Sequence, residues 1–580
     1  MELLKEESSR AQSPPRPELR RVYADKAVSQ IPRILSCQDR NPYSPTYGCM
    51  HRDYWMYKTS DFPDMVRQFG VQALALVYKH EFPGNIYKDQ AKICDWTLAA
   101  MDYWVSQQHR DDGSFDEFYP YERGWVGPTA FTTFAVAEAF RTLRDEAPPD
   151  LAERTLTAIR KAAHFVVEGD KEEDRLANHH AMACLAVWKA FELLQDPALK
   201  AGFERLFEGF LKYHNKNEGW SREYDGVDPG YLSATVSFFG KVYPTNPDPR
   251  IFEVLKQSLE FCSYFVYPNG FYAGSIGSRN TLHFYAHGFE VLGGRIPMAA
   301  AIAEKMLIGL GEGKLVPPEI MSDRYLFYRV PEFLQAYLDY TPRPEKLPLL
   351  PCERDAQRNY FPESRIFSES AGRHYVVANL AKGGVAKVFD RTDGALLLND
   401  AGLIGRLEDG RVVTSQWVDP EFRCSTDDTG WEVSGQLHVV PSNKLFTLFK
   451  NLLFRSALLA LGWVPAFAHA LKGGIRKSMM LGRRPVPVNF RRRFDHSGET
   501  MSLTDEIWTD GSVKITAFSA GDEFFVRYVP QSRYFQSQEL EVSAYRLTAQ
   551  QLQALNSGQH IVIKRTFDPQ LRKFATAGAQ

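Results

Sequence analysis

The chain is 580 residues long, more than one hydrophobic core can organise, so two or three domains are expected. Hydrophobic residues at 44% supply those cores, and a formal net charge of −2 excludes a global pull toward nucleic acid, so any attraction to polyanions is local. The 7 cysteines are odd in number, scattered and without C-x-x-C spacing, which excludes a zinc or redox motif and fits a reducing compartment.

Residues 1–40 are polar and contain proline, and they read as an N-terminal arm that packs on a larger body or stays mobile. They lack a basic region followed by an apolar run, so no secretory leader is expected and the cytoplasm is the default location. From 41 to 345 apolar residues recur at helical spacing, as in 86–108, 128–146, 177–195 and 249–266, with Gly, Pro or Asp at the ends. Helices of similar length joined by Gly- and aromatic-rich loops predict an (α/α) toroid. Loops 111–125, 217–231 and 269–288 would then line one cleft at one end of the ring. The Pro-rich, aperiodic run 346–364 reads as a linker. Beyond it, from 365 to 580, short β-branched and aromatic runs such as 374–381, 383–390, 431–440, 523–529 and 560–567 predict an antiparallel β-sandwich. The expected fold class is therefore multidomain α+β.

One stretch, 442–494, breaks the β pattern. Lys444, Thr447, Lys450, Asn451 and Arg455 recur every three or four positions and leave a broad face of Leu and Phe. The uncharged run Ser456–Leu471 has 16 residues, about 24 Å as a helix against roughly 30 Å of hydrocarbon, so it is too short to span a bilayer. From Lys472 to Phe494 there are 8 Lys or Arg and no acidic residue. The expectation is an anchor lying in the plane of an anionic membrane, peripheral on its inner face. Phe446, Phe449, Leu453 and Trp463 would sit in the apolar phase, with Arg483 and Arg484 among the headgroups. The competing reading is a core hairpin or a dimer contact with a solvated basic rim.

Chemistry-bearing side chains recur on successive loops of the helical part. Asn178 and His179 stand where a polar loop turns into an apolar helix, a place where Asn alone would be a helix cap. Trp220, Arg222 and Glu223 lead within a few residues to Tyr231, and Arg279 is followed by His283, Tyr285 and His287. An Asn-His pair at a helix start, a D-G…Y segment on the next helical pair and the order of the two domains together resemble the heparinase II/III-like lyases and the related uronyl C5-epimerases.

That resemblance implies abstraction of the C5 proton of a uronate, giving β-elimination or epimerisation. The uronate carboxylate must be neutralised as charge develops on it, a role that falls to Asn178 with Arg279 or His283. His179 and Tyr231 are implied as the proton-transfer pair, with Arg222 or Arg279 lowering the phenol's pKa. Trp220, Arg222, Glu223, Arg279, Tyr285 and His287 are implied as substrate contacts. The implied partners are a uronate-containing glycan, polymeric or lipid-linked, and the membrane surface, with no nucleic acid. Many family members carry an H-x-H-x-D-like stretch early in the β domain, whereas here His374 stands alone, so no cofactor is expected and a divalent metal has no support. Two other classes stay open. One is an inverting glycoside hydrolase on the same toroid, using Asp112, Asp116, Glu117 or Glu122 with Glu223 or Asp225. The other is a membrane-associated glycan-binding protein without activity.

Overall fold

A computed structural model describes residues 19–117, 124–169, 176–441, 447–462, 464–477, 482–521, 524–526, 534–540 and 544–576. Its first part is helical: α1 (Arg21–Val28), α2 (Ile31–Cys37), α3 (Gly70–Lys79), α4 (Ala91–Gln107), α5 (Val126–Thr142), α6 (Pro149–Gly169), α7 (Ala177–Leu194), α8 (Pro197–Leu211), α9 (Pro229–Val242), α10 (Pro249–Ser263), α11 (His287–Leu292), α12 (Pro297–Gly311) and α13 (Asp323–Leu338). Helices α3, α5, α7, α9, α11 and α13 touch in that order and α13 returns to α3, which closes an inner ring; α4, α6, α8, α10, α12 and α1 pack outside it.

The sequence sorts the two rings by pattern. Inner helices such as α5 and α7 bury almost every position, whereas the outer α6 buries a single stripe, Leu151, Thr155, Ala158, Ile159, Ala162, Ala163 and Val166. Three starts share a mechanism: Asp196, Asp228 and Asp248 each cap a backbone N–H of α8, α9 and α10, and each precedes a proline at the first helical position. Since inner and outer helices alternate along the chain, the inner helices run the same way and the N-termini of α7, α9 and α13 gather at one end, whereas the short α11 begins deeper, with His287 beside the C-terminal end of α13. Residues 21–37 of the expected arm belong to this body. Tyr23, Ala24, Ala27, Ile31 and Ile34 are buried at helical spacing, and the Tyr23 hydroxyl donates to Glu290 over 2.9 Å. Residues 1–18 lie outside the described part.

The second part is β. A short pair, β1 (Arg222–Glu223) and β2 (Gly226–Val227), belongs to the ring loops. A five-stranded antiparallel sheet follows in chain order, β3 (Ala356–Phe361), β4 (Ile366–Ala371), β5 (His374–Asn379), β6 (Val385–Asp390) and β7 (Leu396–Asp400). A ten-stranded antiparallel sheet comprises β8 (Leu403–Leu407), β9 (Val412–Thr414), β10 (Arg423–Thr426), β11 (Gly430–Val439), β12 (Pro485–Ser497), β13 (Thr500–Thr509), β14 (Ile515–Ala520), β15 (Tyr545–Arg546), β16 (Ile561–Asp568) and β17 (Lys573–Thr576). Every residue of β5 and β6 is buried because the five-stranded sheet is a middle layer. Ile366, Tyr375, Val377, Val385 and Phe389 join the core of the helical ring, while Phe367, Val376, Ala378, Ala386 and Val388 join the core of the ten-stranded sheet. The period of two along a strand sends alternate side chains to the two cores. Of the expected strand 523–529 only 524–526 are described, and they are not in a strand.

The expected basic insertion divides. Helices α14 (Leu448–Leu461) and α15 (Pro465–Arg476) form a hairpin in which Pro465 begins the second helix. Residues 485–494, read from sequence as part of the basic rim, are instead the start of β12. Val486, Val488, Phe490, Arg492 and Phe494 point inward at alternate positions. Arg492 is fully buried and bonded to Asp505 (2.6 Å) and Asp400 (2.8 Å), and Arg565 reaches the same two carboxylates at 2.7 Å. Two arginines against two aspartates make a neutral buried square.

Candidate active site

The N-terminal end of the inner ring carries the candidate residues. Asn178 is in the first turn of α7, and no side chain of the preceding residue, Leu176, caps that helix. Glu223 does so from β1: one carboxyl oxygen accepts the backbone N–H of Asn178 (2.7 Å) and the other its side-chain amide (2.8 Å). Burial pushes the Glu223 carboxyl up to about 8; the two Asn178 bonds pull it down, Asp228 pushes it up and Arg279 lowers it. The substrate contact expected of Glu223 is therefore replaced by a positioning contact on Asn178.

Asp228 knits the next two segments together. It is fully buried; one oxygen accepts from the Tyr231 backbone N–H (3.2 Å) and the other from the N–H groups of Arg279 (2.9 Å) and Thr281 (3.4 Å). The start of α9 and the loop of Arg279 are thereby fixed to one carboxylate. The Arg279 guanidinium lies 4.3 Å from the centre of the Tyr224 ring. Tyr224 (φ 64°) and Asn280 (φ 56°) both occupy the left-handed region, which costs a side chain of order 1 kcal/mol and is found where a site over-determines the backbone.

The Tyr231 hydroxyl is 3.5 Å from that of Tyr325 in the first turn of α13, and the His283 ring stacks on Tyr325 at 4.5 Å. Burial, with Tyr325 and Tyr224 nearby, raises the Tyr231 phenol well above its ordinary value. The lowering expected from Arg222 or Arg279 is absent because Arg279 sits over Tyr224 and Arg222 stacks on Tyr213, 5.2 Å from its centre. The phenol is accordingly neutral. Burial and the Arg329 charge hold His283 well below the usual histidine range, and neither of its ring nitrogens has a hydrogen-bond partner among the described residues. It is a neutral, unsatisfied imidazole facing the tyrosines. His179 is half-buried and meets Phe131 edge-on at 5.8 Å; Phe131 in turn packs against Tyr328, which contacts Tyr325.

Other expected contacts lie elsewhere. Segment 280–286 descends through the ring wall, so successive residues reach different depths. Tyr285 lies under the Arg329 guanidinium (4.1 Å), and His287 pairs with Asp339 (2.6 Å) beside Lys241 and Glu332 at the far end of the ring. Gly288 allows this descent, since a Cβ there would stand 2.4 Å from Ser237 Cα in α9. Trp220 donates to Glu218 (2.8 Å), whose carboxylate also accepts from the backbone of Glu363 and Ser364, so this loop fastens the two parts of the chain together.

The β part completes the cleft. A cavity of about 390 Å³ beside Tyr224 is lined by Arg222, Arg365 and Arg483 together with the carboxylates of Asp225 and Glu363. Arg483, expected among lipid headgroups, bonds to Asp419 (2.9 Å), and Arg365 is braced on the carbonyls of Pro420 (2.8 Å) and Phe422 (2.9 Å). Arg484 is exposed next to it, and its carbonyl accepts from Val439. Behind the cavity the Lys382 ammonium, fully buried, donates at 2.7 Å to the carbonyls of Ser275 and Gly277 and to the Asn280 side chain. Neither Arg365 nor Lys382 was singled out from sequence, where a lone basic residue after a strand reads as surface. Tyr325 was also missed, because its helix carries no polar motif.

The acidic set of the hydrolase alternative is occupied in holding loops. Asp112 accepts from Ser114, Asp116 from Gly124 and His109, and Glu117 pairs with Arg324; Glu122 lies outside the described residues. His374 is in β5, with its Nδ1 3.3 Å from His496, and His496 bonds to Glu369 (2.8 Å). Among the described residues no three His, Cys, Asp or Glu side chains gather to hold a metal ion.

The ulvan lyase N-terminal domain matches residues 86–290, the stretch that carries Asn178, Tyr231, Arg279 and His283, so this part of the chain is a polysaccharide-lyase-like enzyme domain. The chondroitin AC lyase of Streptomyces coelicolor A3, solved with chondroitin sulphate, is 10% identical; the likeness covers 89% of this chain and 69% of that one at a TM-score of 0.51, a likeness of fold. A cellobiose 2-epimerase from Bacillus thermoamylovorans is 11% identical over 55% of this chain and 98% of its own, at a TM-score of 0.41. No curated protein matches the chain in sequence.

Proposed function

We propose that the protein is a heparinase II/III-like polysaccharide lyase or uronyl C5-epimerase acting on a uronate-containing glycan. The observation that carries this reading is the buried cluster at the N-terminal end of the ring: Asn178 held by Glu223, Tyr231 beside Tyr325, Arg279 over Tyr224, and the unsatisfied His283. A proton alpha to a carboxylate is acidic only when the charge that forms on the carboxyl is met by donors. The Asn178 amide and the Arg279 guanidinium supply those donors at the ring mouth, where three helix N-termini also point.

His179, as the base, takes the C5 proton. In elimination the electron pair becomes the C4=C5 bond, the C4–O bond breaks, and the neutral Tyr231 hydroxyl gives its proton to the leaving oxygen. In epimerisation no bond to oxygen breaks and a proton returns to C5 from the opposite face. The arginines 222, 365 and 483 beside Tyr224 suit a further acidic group of the glycan, carboxylate or sulfate.

The test is incubation with a panel of uronate polymers in deuterated water. New unsaturated ends absorbing at the enoate band mark a lyase, and deuterium at C5 without cleavage marks an epimerase. Absence of both signals across the panel would sink the proposal.

A further inference from the structure

The hairpin α14–α15 is apolar on the side that faces away from the protein. Leu448 (87% exposed), Phe449 (73%), Leu452 (65%), Leu453 (60%) and Leu459 (61%) protrude from α14. At 3.6 residues per turn they share one stripe about 140° wide. Lys450 and Arg455 fall on opposite flanks of that stripe, and no Asp or Glu occurs anywhere from Lys444 to Phe494. A monomeric soluble surface rarely gathers so many large apolar side chains. A stripe of this kind with basic flanks matches the boundary between acyl chains and anionic headgroups. No described helix is long and apolar enough to cross a membrane, so contact is with one leaflet.

The hairpin also has a fixed position relative to the cleft. Its outgoing root reaches Arg483, which lines the arginine cavity beside Tyr224. Its inner side rests on the other bank: Leu458 packs on Phe62 with Phe454, Phe467 and Leu471 around them, and Arg455 pairs with Asp61 at 2.5 Å. That bank leads directly to Asp64, which pairs with Arg324 (3.3 Å), the residue before Tyr325. The hairpin thus rests on the Asp61–Phe62 segment and is followed in the chain by Arg483 of the arginine cavity.

We propose that α14–α15 seats the protein on an anionic lipid leaflet and so presents the cleft to glycans anchored in that leaflet. The second half rests on the glycan reading above; the first does not. The partner is a bilayer rather than a second copy, because Arg455 is already paired with Asp61 and a self-contact would set Lys450 and the basic residues that follow the hairpin against their copies, with no carboxylate from Lys444 to Phe494 to offset them.

The test is flotation of the full chain with phosphatidylcholine vesicles, with and without phosphatidylglycerol, beside the variant Phe449→Asp/Leu453→Asp. Both positions are exposed, so folding is retained and checked by an unchanged Tm. The expected result is recovery with anionic vesicles that falls at least tenfold in the variant and falls with added salt. No recovery on either vesicle, equal recovery of the variant, or a wild-type dimer that the variant dissolves in sedimentation would each overturn the lipid contact. A second arm compares turnover of a uronate oligosaccharide tethered to vesicles with the same oligosaccharide free. A lower KM for the tethered form in the wild type alone is expected, and equal KM values overturn the presentation. Flotation that survives while neither form is turned over would fault the enzymatic reading and leave the lipid contact standing.

Discussion

Glu223 serves two structural demands with one carboxyl, because it satisfies the exposed N–H of a helix start and fixes the amide of Asn178. Its position fully inside the protein sets a sign for pH. The folded state holds its proton up to about 8, against an ordinary 4.5, so the unfolded chain binds fewer protons between those values. Stability therefore falls as pH rises from about 4.5 through about 8, by on the order of 5 kcal/mol from this group. Glu223→Gln is expected to flatten that slope in urea midpoints taken from pH 5 to 9, and parallel slopes would refute the assignment. At Tyr231 the raised pKa predicts a donor role. Tyr231→Phe is expected to lower kcat by roughly 10² to 10⁴ with little change in Tm, since only a 3.5 Å contact to Tyr325 is lost. If instead kcat/KM of the wild type climbs with pH as far as 10, the ionised phenol is the working form and the donor role is wrong.

Among the elements, β12 shows how one pattern supports two readings. Its sequence PVPVNFRRRF reads as a basic tract if charge alone is followed, and as a strand if alternate positions are followed, with Arg492 taking an inward place among Val and Phe. The strand forms because Asp400 and Asp505 await that arginine from neighbouring strands. Removing it strands two buried carboxylates with Arg565 alone. Arg492→Met is therefore expected to cost about 3–5 kcal/mol in chemical denaturation, whereas Arg491→Met, half-exposed on the other face, is expected to cost under about 1 kcal/mol. Equal losses would show that the square is not what holds β12 in register.

For the whole molecule, the five-stranded sheet couples the ring to the larger sheet. Its outer face belongs to the ring core, and Asn379 and Lys382 hold the carbonyls of Ile276, Ser275 and Gly277 from the loop that presents Arg279. Calorimetry is expected to show one transition for both parts. Lys382→Met leaves three buried acceptors unsatisfied and is expected to destabilise by about 3 kcal/mol or more and to lower activity without touching substrate. Two well-separated transitions in the wild type would contradict this coupling.

Sequence by itself determined the change from helical to strand periodicity near residue 345, the Asp-Pro helix starts and the apolar stripe of 448–461, since these follow from the spacing of neighbours along the chain. It also marked Asn178, Tyr231, Arg279 and His283, because polar groups recur where helices begin. The tertiary structure decided which of those groups meet. It turned Glu223 into a cap for Asn178 and set Arg279 over Tyr224 rather than Tyr231. It sent His287 to the opposite end of the ring, and brought Arg483 from the end of a hairpin to the cleft wall. The reason is physical: periodicity fixes which side of an element is buried, whereas the partner of a buried charge is set by whichever segment, often more than a hundred residues away, closes the ring or pairs the next strand.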